Sequence, residues 1–302
     1  MGTERYGTKR PCIAARGVGS LVTRRALIRC GLWSVTLAAA GLPAAGAPAS
    51  IAAAPASTGR KFAMFDGLLF RAKPDLRALG LEPIVAVAAI WRPGAPRNEL
   101  DPVGLKAALK RLPRSTATLY IDVESWPLLT DDRAVRERSA NNYLSTAEII
   151  REALPDAHFG FYGVAPCCVY WPIVAQQSAG LDQWHAANES LLPLTEYVDF
   201  VLPSLYTFYD DQGGWAKFAS ASIAEARIYG KPVYPFLWNQ YFDGNWLLKG
   251  RQVKADAWNA ELELCFELAD GAVLWGGSEQ NWDPAASWWQ SVKQLLRRAA
   301  PG

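Results

Sequence analysis

Two carboxylates stand two residues apart in Leu119-Tyr120-Ile121-Asp122-Val123-Glu124-Ser125-Trp126, at the end of an apolar and aromatic run. In an extended strand alternate residues point to one face, so Asp122 and Glu124 are predicted to project side by side. Neighbouring carboxylates in apolar surroundings resist double ionisation, which raises one pKa and keeps one group protonated near neutral pH. Glycosidic cleavage needs such an acid at the leaving oxygen. The same spacing also suits strand-end carboxylates that only hydrogen-bond locally, so the surroundings must decide.

Those surroundings are aromatic. Trp91, Trp126, Tyr162, Tyr206, Trp238 and Trp275 all fall at or just beyond the ends of strand-like runs. Sugar rings stack their C–H faces on such surfaces while tyrosine hydroxyls bond to their rims; the alternative is that several of these same aromatics fill the core, as some of the chain's tryptophans must. The partner these residues point to is a polysaccharide or oligosaccharide. His158 and His185 are not spaced as metal ligands, and no Cys-x-x-Cys pattern occurs, so neither a metal, a cofactor nor a Ser-His-Asp triad is expected. Cys167 and Cys168 are adjacent and leave two alternatives: a bridge from one of them to Cys265, or three buried thiols.

The elements that must position these groups read as alternating strands and helices. Strand-like runs cover 62–68, 83–91, 118–124, 158–164, 200–206, 233–238 and 272–276, and helical spacing covers 103–112, 134–154, 216–229, 255–268 and 286–298. The alternation predicts an α/β fold around a parallel sheet, and about 240 residues without a linker or repeat suit a distorted TIM-type (β/α) barrel of seven strands. Functional residues cluster at the carboxyl ends of the runs, the face where such barrels bind substrate. A doubly wound open sheet would normally offer a glycine-rich turn after its first strand, and none follows residues 62–68 or 83–91.

The first 57 residues read as an address. Thr23-Arg24-Arg25-Ala26-Leu27-Ile28-Arg29 precedes a modest apolar stretch and an Ala/Pro-rich linker, the layout of a twin-arginine signal peptide. The apolar part, broken by Gly41 and Pro43, is shorter than the roughly 20 residues that span a bilayer, so no permanent membrane anchor is expected. Arg29 stands where a lipoprotein signal needs a small residue, which argues against lipidation at Cys30. The predicted partner of this segment is the twin-arginine export machinery, and the predicted location is periplasmic or secreted. The remaining 58–302 form a single barrel domain. Most of the excess basic charge lies in the first 60 residues, which leaves the remainder at about −5 and excludes a nucleic-acid partner.

Several ordered segments resemble the hyaluronidases of glycoside hydrolase family 56. Tyr120-Ile121-Asp122-Val123-Glu124-Ser125-Trp126 is similar to the family's catalytic strand, Phe159-Gly160-Phe161-Tyr162-Gly163 to its aromatic fourth segment, and Leu202-Pro203-Ser204-Leu205-Tyr206 to its Pro-Ser-x-Tyr strand. Pro232-Val233-Tyr234-Pro235-Phe236 and Gly271-Ala272-Val273-Leu274-Trp275-Gly276 resemble the last two barrel segments. The resemblance implies a retaining, substrate-assisted reaction at an N-acetylhexosamine, with Glu124 as general acid and the substrate's acetamido oxygen as nucleophile. It implies that Asp122 orients the acetamido nitrogen, that Tyr206 hydrogen-bonds near it, and that Trp275 walls its methyl group. The family's Trp-Arg-Pro reads Trp126-Pro127 here, and the acidic body offers no steering for a polyanion. Two other readings stand beside this one: a non-catalytic carbohydrate-binding barrel, and a glycosidase whose second carboxylate is Asp210, Asp211, Asp243 or Asp283.

Overall fold

The computed structural model describes residues 62–88, 90–113 and 116–299. The export signal and linker read in 1–57 lie outside the described residues. Among the described residues, no helix is long and apolar enough to cross a membrane.

The strands are β1 (Ala63–Leu68), β2 (Leu81–Pro83), β3 (Val85–Val87), β4 (Thr118–Ile121), β5 (His158–Phe161), β6 (Phe236–Trp238) and β7 (Gly271–Gly276). All named pairings are parallel: β2, β1, β7 and β6 form one sheet, and β3, β4 and β5 form another. Two joints link the sheets into a ring. At the first, one extended run changes neighbours, with β2 on β1 and β3 on β4. At the second, residues 200–206 bridge Tyr162 to Leu202 on one side and Val201 to Val233 and Ser204 to Phe236 on the other. With β2 and β3 as one stave and 200–206 as another, the described residues form a seven-stave α/β barrel in sequence order.

Proline accounts for two departures from the predicted strands. The run expected at 83–91 is broken after Pro83 and ends at Val87. Proline lacks an N–H to donate; Ile84 N still reaches Asp66 O of β1 at 3.4 Å, and from Val85 onward the chain pairs with β4. The run expected at 200–206 holds only isolated bridges, because Pro203 offers no donor while its carbonyl accepts from Phe236 N at 2.9 Å. The run expected at 118–124 ends at Ile121, with one further ladder bond from Asp122 N to Val87 O at 3.1 Å. Asp122 is therefore the last residue tied to the sheet, and Glu124 stands just past it on backbone that has left the sheet.

The helices are α1 (Pro102–Lys110), α2 (Arg133–Ala153), α3 (Trp171–Val174), α4 (Ser178–Glu189), α5 (Gln212–Ala226), α6 (Ala255–Leu268) and α7 (Ser287–Ala299). Asp101, Asp132 and Asp211 cap α1, α2 and α5 by accepting from the third residue beyond, which satisfies donors that a helix start leaves free. The sequence pattern did not predict α4. Its apolar face is short, Leu181, Trp184 and Ala187 amid polar and small residues, and the buried Trp184 fixes it by donating to Cys167 O at 2.7 Å.

Two separate apolar cores result. The larger lies between the ring and the helices and takes residues from both. The smaller contains Phe65, Ile84, Tyr120, Tyr162, Phe200, Leu202, Tyr206, Phe236, Trp238 and Val273, and no helical residue. These are alternate positions on successive strands, so they fill the barrel interior. Cys167, Cys168 and Cys265 are free and buried, which decides the alternatives in favour of three thiols.

Candidate active site

Asp122 follows Tyr120 by two residues and so continues the inward-facing row of β4 at the carboxyl-end mouth. It is half-buried, and Glu124 is exposed. Tyr206 lies next to both: burial pushes its hydroxyl well above the ordinary tyrosine range, a hydrogen bond from Tyr162 pulls the other way, and the charges of Tyr120, Asp122 and Glu124 push it further up. The phenol thus stays neutral within electrostatic reach of the two carboxylates.

Around Tyr206 the interior aromatics form a wall. Its ring lies 5.4 Å from Trp238, 5.6 Å from Trp275 and 5.8 Å from Tyr162, and it stacks on Phe242 at 6.2 Å. Trp238 and Trp275 meet edge to face at 4.9 Å, an arrangement the aromatic quadrupole favours. Gly276 makes this contact fit: its φ is +128°, and a Cβ there would lie 2.6 Å from the Trp238 indole nitrogen. Tyr162 shares a hydrogen bond with Ser204 at 3.0 Å. Trp275 hydrogen-bonds to Tyr120, and the indole N–H must be the donor. Burial and the charge of Asp122 outweigh that bond and push the Tyr120 hydroxyl up.

The structure brings together Asp122, Glu124, Tyr162, Tyr206, Trp238 and Trp275. Trp126 does not join them. It is 2% exposed and packs edge to face on Tyr143 and Trp91 in the core between sheet and helices, so it offers a sugar no face. The direction reverses at Trp126 because the backbone leaves the strand after Ile121, and alternation no longer applies. Tyr120, Ser204 and Phe242 belong to the wall and were not singled out. For Tyr120 the signal was present, since it lies two residues before Asp122.

Beyond β4 the backbone needs another support, and α2 supplies it. The buried Tyr143 places its hydroxyl 3.1 Å from Val123 O and 3.4 Å from Trp126 O, so the residues flanking Glu124 are held from below. Of the other carboxylates considered for catalysis, Asp210 pairs with Lys254 at 2.7 Å and accepts from Tyr241. Asp211 caps α5, Asp283 accepts from Ala285 N at 2.8 Å, and Asp243 is exposed.

No protein-family model and no curated protein sequence matches this chain. Among solved structures, bee venom hyaluronidase in a monoclinic crystal form is 17% identical, with a TM-score of 0.58 over 78% of this chain and 97% of its own. The fold is hyaluronidase-like. The same venom enzyme in complex with a hyaluronic acid tetramer is 18% identical, with a TM-score of 0.58 over 79% of this chain and 95% of its own. The hyaluronidase-like barrel accommodates the ordered segments quoted from the sequence, from Tyr120 through Gly276, as consecutive staves of one ring.

Proposed function

We propose that this chain is an exported glycoside hydrolase that cleaves an N-acetylhexosamine-containing polysaccharide with retention of configuration. The observation that carries the reading is the pair Asp122 and Glu124, set just beyond β4 beside a mouth walled by Tyr162, Tyr206, Trp238 and Trp275. The hyaluronidase-like fold, in which the venom enzyme was solved with a hyaluronic acid tetramer, supports it.

In this reading Glu124 gives its proton to the leaving glycosidic oxygen as the C1–O bond breaks. The acetamido carbonyl oxygen of the same sugar attacks C1 and forms an oxazolinium-like ring. Asp122 stabilises the positive charge on the acetamido nitrogen, and Tyr206 donates near that group. Glu124, now a carboxylate, takes a proton from water, whose oxygen opens the ring at C1 and regenerates the acetamide. No carboxylate of the protein forms a bond to the sugar.

The test is reducing-end release from hyaluronan, chondroitin, chitin oligomers and peptidoglycan fragments by wild type and Glu124→Gln. The amide keeps the shape but has no proton to give, so turnover should fall by about 10²–10⁴-fold while binding persists. An inverted product by proton NMR, or a sugar ester trapped on Asp or Glu, would overturn the mechanism. Binding without any cleavage by wild type would make the chain a carbohydrate-binding barrel.

A further inference from the structure

The charge around the mouth separates two kinds of N-acetylhexosamine polymer: those with a uronate at every second sugar and those without charge. The connection 122–132, which holds the site carboxylates, also carries Asp131 and Asp132 and no basic residue. Its neighbour 162–177 has no charged residue at all. The connections 207–211 and 277–286 carry only acids: Asp210 and Asp211 in one, Glu279 and Asp283 in the other. Four of the mouth's connections thus supply no cation.

Cations enter only from 69–80, 88–101 and 239–254, and most of them are engaged. Lys73 is paired with Asp66 and Arg77 with Asp75. Arg92 is paired with the buried Asp101 at 2.9 Å, and Lys254 with Asp210 at 2.7 Å. Arg97 lies over the Trp91 ring, 5.8 Å from its centroid. Arg71, Lys249 and Arg251 remain, and none of them is on a connection flanking β4. A repeating carboxylate laid across this mouth would meet acids on both sides of the site, with few cations to offset its desolvation. Aromatic faces and tyrosine hydroxyls, by contrast, suit uncharged sugar rings.

We propose that the polymer taken by this cleft consists of uncharged N-acetylhexosamine units, and that uronate-containing polyanions are disfavoured; this rests on the glycosidase reading above for the location of the cleft. The selectivity is electrostatic, so salt controls it. Screening relieves like-charge repulsion for an anionic ligand and leaves a neutral one unaffected.

The experiment is calorimetric titration of the full chain bearing Glu124→Gln with a chitin hexasaccharide and a hyaluronan hexasaccharide, at about 20 mM and about 300 mM salt. The neutral oligomer should bind at least about tenfold tighter at low salt, and hyaluronan should gain affinity as salt rises while the neutral ligand does not. Glu279→Lys, an exposed position four residues beyond Trp275, should strengthen hyaluronan binding several-fold and leave the neutral oligomer unchanged. Tighter binding of hyaluronan, its weakening by salt, insensitivity to Glu279→Lys, or binding of neither ligand would overturn the proposal. Wild-type turnover separates the two readings. A neutral oligomer bound with the expected salt behaviour but never cut removes the glycosidase reading and leaves the selectivity standing. Hyaluronan cut while chitin oligomers are neither bound nor cut does the reverse.

Discussion

Tyr206 and Trp275 meet at the barrel mouth with ring centroids 5.6 Å apart and planes inclined by 30°. One belongs to a bridged segment interrupted by Pro203, the other to the long regular strand β7. Their contact closes one side of the mouth, and each has a second tie: Tyr206 to the Tyr162 hydroxyl, Trp275 to Tyr120. The wall is therefore held by hydrogen bonds to two tyrosine hydroxyls as well as by packing. Such bonds fix side-chain orientation at the cost of needing every partner satisfied.

Tyr206→Phe removes the hydroxyl and keeps the ring contacts with Trp238, Phe242 and Trp275. Turnover should fall by about 10–100-fold, the scale of one hydrogen bond to a developing charge, with the melting temperature little changed. Because burial holds the phenol neutral well beyond its ordinary range, the alkaline limb of the pH–rate profile should be the same in wild type and variant. A limb that disappears with Tyr206→Phe would show that this hydroxyl titrates during turnover, contrary to its assigned role.

Strand order and the placement of Asp122 were legible because both depend on local alternation, which survives wherever the backbone stays in the sheet. What was not legible depended on tertiary events. Pro83 marks where the run changes partner and Pro203 where a stave is reduced to isolated bridges, and a pattern of apolar residues encodes neither event. Trp126 looked like a member of the mouth because strand spacing was extended past Ile121; the turn that sends it under α2 is set by Tyr143, seventeen residues later. Helix α4 escaped notice because its inward row of Leu181, Trp184 and Ala187 is short and runs into the buried polar Asn188.

Glu261 on α6 makes an unusual demand on pH. It is 2% exposed, its Oε1 accepts from Thr207 Oγ1 at 2.7 Å, and its Oε2 is buried without a hydrogen-bond partner among the described residues. Burial pushes its carboxyl from the ordinary 4.5 up to about 8, against the opposing hydrogen bond from Thr207. The folded protein thus keeps a proton that the unfolded chain releases between those values, and stability should fall as pH rises from about 4.5 to 8 and level off above. Glu261→Gln removes this proton linkage, so the variant should gain relative to wild type on going from pH 5 to pH 8, by about 1–3 kcal/mol. Calorimetric melting at the two pH values checks it. A wild type that gains on the variant over this range would refute the assignment.

Export is proposed to depend on Arg24 and Arg25. A pair of lysines keeps the charge but lacks the guanidinium fork, so Arg24→Lys with Arg25→Lys should block translocation of the folded chain while leaving its cytoplasmic accumulation intact. Fractionation of cells expressing both forms is the measurement. Equal export of the two would remove the twin-arginine route.

Tyr143 gives the sharpest test of how the general acid is positioned. Glu124 lies beyond the last ladder bond of β4, and the Tyr143 hydroxyl reaches the carbonyls of Val123 and Trp126 on either side of it. The ring itself is packed edge to face between Trp126 at 4.9 Å and Phe161 at 5.5 Å. Tyr143→Phe preserves that packing and removes the one O–H that the two carbonyls share, which should cost about 1–3 kcal/mol of stability through their lost donor. A purely structural role would stop there, with the folded fraction turning over normally. A positioning role predicts more: kcat reduced about tenfold at unchanged KM, since substrate still meets the same aromatic wall while the proton donor is held less well. In a Glu124→Gln background, where no proton is delivered, the same substitution should have no further effect on the residual rate. Additive losses in that double variant, or a change confined to KM, would show that Tyr143 acts elsewhere than through Glu124.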